Sequence, residues 1–221
     1  MLIRPTPNWS RIKCIAIGPM IGVVCGLICA GAIAFHRKSV WSARHQPVPI
    51  NVARAVLRGN SRATIGDSNS PFALVEFGDY QCTPCIATAK TLPAVLQKYS
   101  GRLSFTFRNF PIIAAHRDAR KMAVAAEAAG RQNKFWEMNR GLYGLKGRGD
   151  DRRIADLAES LHLDMVRFAA DSRGAANQIV SADQSTADEL KLSSTPTFIL
   201  FCPGGKAYLL RGLDQVASFV K

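Results

Sequence analysis

Acidic residues are missing from the first 38 positions, which carry Arg4, Arg11, Lys13, Arg37 and Lys38. Within that stretch, residues 14–35 lack charge of either sign. As a helix this run spans roughly 33 Å, about the thickness of a bilayer hydrocarbon core. It is read as a transmembrane anchor or signal segment after a basic N-terminal segment, residues 1–13. Bases flank it on both sides, so the distribution of positive charge gives no orientation. No lipobox fits, because Ile28 precedes Cys29 where a small residue is required. Ala30-Gly31-Ala32 and Ala32-Ile33-Ala34 have the small-x-small pattern of signal-peptidase sites, yet the run is long for a signal core. The reading favours an uncleaved anchor in the inner membrane, with the rest of the chain in the cell envelope outside the cytoplasm. A soluble periplasmic or secreted form after cleavage is the alternative.

A second close-spaced cysteine pair is also lacking. Of the six cysteines, Cys14, Cys25 and Cys29 lie in the uncharged run, where packing is their expected role. Cys82, Cys85 and Cys202 remain, too few and too widely spaced for a metal cluster. No metal or other cofactor is expected. The bases after residue 38 are scattered, with no dense stripe interleaved with aromatics, so nucleic acid is not an expected partner. A basic surface facing anionic lipid or envelope is. There is no internal repeat or low-complexity tract, and the 48% apolar content suffices for an ordinary core.

What is present begins with a tether, residues 36–62, holding Pro47, Pro49 and Gly59, with room for one short helix at 50–58. The folded domain is expected over 63–221. After the turn cluster Gly66 to Pro71 comes a buried strand at 72–78. A helix is expected from Cys82 to about Tyr99, with Pro84 in its first turn, where a missing N–H costs nothing, and Pro93 kinking it. Leu103 to Phe107 alternates as a strand. The stretch from about 112 to 192 is helical, with segments at 116–131, 134–143, 150–161, 165–170 and 175–192. Thr197 to Phe201 reads as a strand, joined through Pro203-Gly204-Gly205 to Ala207 to Leu210. A short helix from Leu213 to Val220 closes the chain.

Cys82-Thr83-Pro84-Cys85 sits where the first strand empties into its helix. That placement leaves the first sulfur among unpaired N–H groups at a helix N-terminus, which stabilise a thiolate. It holds the second sulfur one turn away, able to attack a mixed disulfide. Half a zinc site has the same spacing, so the surroundings must decide.

Those surroundings resemble the DsbA-like thiol–disulfide oxidoreductases. The segments that do so are Gly66-Asp67-Ser68-Asn69-Ser70-Pro71, Leu74 to Cys82, Arg108-Asn109-Phe110-Pro111, Lys134-Phe135-Trp136-Glu137 and Ser194-Thr195-Pro196-Thr197-Phe198. The resemblance covers residues 64–220. It implies an α/β thioredoxin-like fold with an inserted helical subdomain, here preceded by the transmembrane or signal helix. It implies Cys82 as an exposed nucleophile, Cys85 as a buried resolving thiol, and Pro196 in a cis bond against the pair. It implies that Thr195 offers its backbone to an extended substrate, with Thr83 and Pro84 beside it. Glu76 is implied as the acid beneath the cysteines, although strand alternation alone also allows it to face solvent.

Asp79 is read as a turn or capping residue, and His116 and His162 as surface residues. Cys202 is read as a buried apolar side chain, or else as a third thiol. The family's namesake has Pro-His between its cysteines, and the histidine favours the thiolate; Thr83-Pro84 has none. Family potentials run from about −120 to about −270 mV, so the direction of electron flow stays open.

Three functions are carried forward. The first is an exported enzyme that introduces disulfides into reduced cysteine-containing proteins and is reoxidised by a quinone-linked membrane partner. The second is a reductase or isomerase of the same fold. The third is a non-catalytic anchored module with a structural disulfide.

Overall fold

The computed structural model describes residues 46–54, 63–67 and 69–221. The basic N-terminal segment, the uncharged run at 14–35, the helix expected at 50–58 beyond residue 54 and much of the tether lie outside the described residues. Among the described residues, no helix is long and apolar enough to cross a membrane.

In chain order the elements are β1 (Val48–Ile50), β2 (Thr64–Ile65), β3 (Phe72–Gly78), α1 (Thr83–Lys98), β4 (Leu103–Asn109), α2 (Ala119–Gly130), α3 (Phe135–Gly144), α4 (Asp151–Ser160), α5 (Met165–Arg173), α6 (Ala175–Glu189), β5 (Thr197–Phe201) and β6 (Ala207–Leu210). A 3-10 turn at Leu213–Ser218 follows β6.

The six strands lie in the order β1-β6-β5-β3-β4-β2. β3 is parallel to β4 and antiparallel to β5, and every other pairing is antiparallel. The parallel pair requires a crossover, and α1 supplies it. Five helices, α2 to α6, fill the interval between β4 and β5.

β3 is buried on both faces, which is why it reads as a nearly unbroken apolar run. Leu74 belongs to the core that includes Cys85 and Leu92 of α1 and Met122 of α2. Ala73, Val75 and Phe77 belong to a second core with Ile199, Phe201 and Ala187 of α6.

Three differences from the sequence reading have local causes. Val48–Ile50, assigned to the tether, pairs with Ala207–Leu209 and adds a strand to the sheet. Thr64–Ile65 pairs with Phe105 and Thr106. Strands of two or three residues carry too little periodicity to be seen. The helix expected from His116 starts at Ala119, because Ile112 to Asp118 is committed to turns.

The helical block is fastened to the sheet by a buried polar network. Arg108 of β4 donates from Nε to Asp183 Oδ1 of α6 at 2.7 Å, and both side chains are 2% exposed. Asn109 donates its main-chain N–H to Asp183 Oδ2 at 2.9 Å and its side-chain amide to Glu127 of α2 at 2.7 Å. Burial raises the Asp183 pKa, opposed first by the Arg108 charge. Burial and the Asp183 charge push Glu127 up to about 7.

Removing one partner of a buried pair strands the other charge, whereas removing both need cost little. Arg108→Met is therefore expected to destabilise the protein by about 3–5 kcal/mol, and Arg108→Met with Asp183→Leu by clearly less. Denaturant unfolding of the two variants measures the difference.

Candidate functional site

The site is assembled where β3 ends. Gly78 closes the strand under a tight ceiling, since a Cβ there would come within 2.5 Å of the Phe107 ring and 3.1 Å of the Tyr143 hydroxyl. The chain then turns through Asp79, Tyr80 and Gln81 into α1. Cys82 is the residue that caps α1, and its carbonyl accepts the Ile86 N–H at 3.0 Å. Its own N–H donates to the Asp79 carbonyl at 3.2 Å. Cys82 Sγ donates to the Thr195 carbonyl at 3.2 Å, and the Thr195–Pro196 bond is cis.

The structure thus brings together Cys82, Cys85, Thr195 and Pro196 from distant parts of the chain. Thr83 and Pro84 are exposed, while Thr195 and Pro196 are half-buried. Cys82 itself is only 6% exposed, against the expectation of an exposed sulfur, because the Thr195 segment lies across it.

Cys85 is fully buried, and its pKa is pushed far above the ordinary thiol range. Burial is the main cause, followed by the Glu76 charge; a hydrogen bond from the Asp79 main chain to the sulfur pulls the other way. Cys82 and Cys85 are both free thiols here.

Glu76 points inward, not to solvent, and is 2% exposed. Its register neighbours are Phe107 on β4 and Phe198 on β5. Alternation could not decide its direction, because both faces of β3 are covered. Burial alone raises its pKa to about 8. It borders a cavity of about 390 Å³ under α1, shared with Trp136, Asn139 and Tyr143 of α3. The Tyr143 hydroxyl is buried without a hydrogen-bond partner.

Asp79 does more than turn the chain. Its carboxylate has no exposed surface and accepts from Gln81 N at 2.8 Å, Ile112 N at 2.9 Å and His116 Nδ1 at 2.8 Å. His116, read as a surface residue, is three-quarters buried by this contact. Gln81 also escaped the sequence reading: it donates to the Gly147 carbonyl at 2.6 Å and accepts from Asp118 N at 2.6 Å. An aspartate and a glutamine shortly before Cys82 were the available signal, but Ile112, His116, Asp118 and Gly147, which they reach, lie more than thirty residues away. His162 is exposed, as expected. Cys202 is half-buried beyond the end of β5 and packs against the core.

Residues 59–207 match the family model described as thioredoxin. Among curated proteins, the chain is 31% identical over 208 residues to the Na(+)/H(+) antiporter NhaA 1 of Mycobacterium sp. (strain KMS), covering 89% of this chain and 32% of that protein. It is 35% identical over 159 residues to the Na(+)/H(+) antiporter NhaA 1 of Salinispora arenicola, covering 69% of this chain and 22% of that protein. The chain thus spans a third or less of the length of these relatives. Among solved structures it is similar to a thioredoxin-like oxidoreductase from Silicibacter pomeroyi, with TM-score 0.64, 20% identity, and 76% and 95% of the two chains covered. The thiol-disulfide exchange protein alpha-DsbA2 of Wolbachia pipientis gives 0.63, 20%, and 74% and 87%. BdbD of Bacillus subtilis gives 0.61, 18%, and 77% and 95%.

The raised Glu76 pKa has a stability consequence. Unfolded, the carboxyl ionises near 4.5; folded, it keeps its proton to about 8. Between these values the folded state binds more protons, so its stability falls as pH rises. Glu76→Gln removes that loss. The variant is expected to match the parent near pH 4 and to exceed it by roughly 4 kcal/mol at pH 9. Urea unfolding across the pH range reads this, and a pH-independent difference would mean that the carboxyl is solvated.

Proposed function

The chain belongs to the thioredoxin family, and from that premise we propose that it is a DsbA-like thiol–disulfide oxidoreductase that donates the Cys82–Cys85 disulfide to reduced cysteines of exported proteins. The observation that carries this reading is the asymmetry of the two sulfurs. Cys82 caps α1 beside the Thr195 carbonyl, while Cys85 is sealed beneath it with its proton firmly held. A helix N-terminus is a place where a thiolate is favoured, and stabilising the reduced form makes a dithiol an oxidant.

In the proposed cycle, a substrate thiolate attacks Cys82 Sγ of the oxidised pair. The Cys82–Cys85 bond breaks, and the Cys85 sulfur leaves with the electron pair. Glu76, protonated below about pH 8, supplies its proton and regains one through the cavity under α1. A second substrate thiolate attacks the substrate sulfur of the mixed disulfide, and Cys82 leaves as a thiolate. Two electrons pass from the substrate dithiol to the enzyme, and the substrate gains a disulfide. A quinone-linked membrane partner then takes those electrons and restores the Cys82–Cys85 bond. Thr195 lends its backbone to the extended substrate beside Pro196, and Thr83 and Pro84 form the exposed lip of the site.

An envelope location with the anchor at 14–35 accords with the uncharged run and with the match to membrane antiporters, whose span reaches upstream of residue 46. Sodium–proton exchange is named for the whole of those longer proteins, and nothing in the cysteine site performs it.

The test is the redox equilibrium of the full chain in glutathione buffers, read by thiol alkylation and mass. A couple more oxidising than about −180 mV is expected of a disulfide donor. A value near −270 mV would make the protein a reductase, and a pair that never opens would leave only the anchored module. In the same assay Cys85→Ser should accumulate mixed disulfides with client proteins, and Cys82→Ser should form none.

A further inference from the structure

The dipeptide between the cysteines offers no cation to the Cys82 thiolate, yet a buried anion sits three residues before it. Asp79 has no exposed side-chain surface, and its main chain touches both sulfur-bearing residues: its carbonyl accepts the Cys82 N–H, and it hydrogen-bonds the Cys85 sulfur. The influence of its charge extends into the site, since Asp79 and Cys85 both act electrostatically on the Tyr143 hydroxyl. In a medium of low dielectric, a carboxylate so placed opposes a thiolate unless its charge is met by donors.

Two of its three donors are main-chain amides, which cannot change. The third is His116 Nδ1, delivered from the turn that precedes α2. Asp79 is acceptor-only when ionised, so the proton in this bond lies on the imidazole. The other charged groups of that turn are committed elsewhere: Arg117 is 93% exposed and faces Asp118, and Asp118 is met by Lys121. His116 is thus the side chain that answers the Asp79 charge.

We propose that His116 is a positioning residue for the dithiol reaction: it compensates the Asp79 carboxylate from the helical insertion, and so favours the Cys82 thiolate and makes the Cys82–Cys85 couple more oxidising. This rests on the dithiol reading of Cys82 and Cys85. It supplies from a distant segment what the Thr83-Pro84 dipeptide lacks. Because the electrons still pass only between sulfurs, His116 gains and loses nothing in the exchange; it acts on the balance between reduced and oxidised pair. The arrangement also couples that balance to the insertion, since the turn carrying His116 is held to the Cys82 loop by Gln81 through Asp118.

Opposite charge effects separate this from a merely structural role. The full chain and four variants, His116→Ala, His116→Gln, Asp79→Asn and the double Asp79→Asn/His116→Ala, are equilibrated with glutathione at one pH. Their thermal melts are taken alongside. His116→Ala is expected to shift the equilibrium about tenfold toward the disulfide, which is about 30 mV more reducing. His116→Gln keeps an N–H and should stay within about twofold of the parent. Asp79→Asn should move the other way, and the double variant should stay within about twofold of Asp79→Asn, since without that charge His116 has nothing to compensate. If His116→Ala melts too low to measure, His116→Met fills the ring's volume without an N–H and takes its place. A His116→Ala couple within twofold of the parent or more oxidising than it overturns the proposal, as does an Asp79→Asn couple that moves in the same direction. The parent's absolute potential tests the donor reading, and only the differences among variants test His116, so each can fail without the other.

Discussion

The Arg108–Asp183 ion pair is the interaction on which the arrangement of this domain depends. A block of five helices enters the chain between β4 and β5, two strands that flank β3. Apolar packing alone would let such a block slide, because packing is nearly non-directional. A charged pair with 2% of either side chain exposed has one geometry in which its cost is offset. Asn109 doubles the constraint by reaching Asp183 with its main chain and Glu127 with its side chain. The end of β4 is thereby registered to α2 and α6 together. His116 and Asp118, which touch the Cys82 loop, lie on the stretch between that strand end and α2, so the placement of Cys82 inherits the accuracy of this joint.

The same economy of polar groups marks the site. Three of the buried carboxylates in it or near it, Asp183, Asp79 and Glu76, have different fates. Asp183 meets a guanidinium; Asp79 meets three N–H donors; Glu76 meets only rings and a cavity. The first two are met by donors and organise structure. The third is held as an acid near neutral pH, because burial without a donor favours the protonated form. Burial thus separates the functions of chemically similar side chains by the partners it grants them.

Legibility in the sequence followed the range of the signal. The strand-to-helix junction at Cys82, the order of the major elements and the hairpin at 197–210 could be read from local periodicity, proline and glycine. The helical insertion could be read as a block, and its register on the sheet could not, since Arg108 and Asp183 are 75 residues apart. Glu76 was ambiguous for a physical reason: a strand covered on both faces shows no alternation. His116 was misjudged because a single histidine in a turn has no local pattern; its partner Asp79 precedes it by 37 residues. The short strands at 48–50 and 64–65 were invisible because two or three residues cannot display a period.

Those two short strands are also the margins of the sheet. At one side Val48-Pro49-Ile50 covers β6, and at the other Thr64-Ile65 covers part of β4. A long unpaired strand margin is a template on which any extended chain can zip up and aggregate. Here one margin is three residues long with a proline at its middle, which has no N–H to offer, and the other is only two residues long. Blunted margins of this kind leave an extended chain little to pair with along the sheet. They deny such a chain a long main-chain ladder, while the Thr195 carbonyl beside cis-Pro196 lies away from both margins, against Cys82.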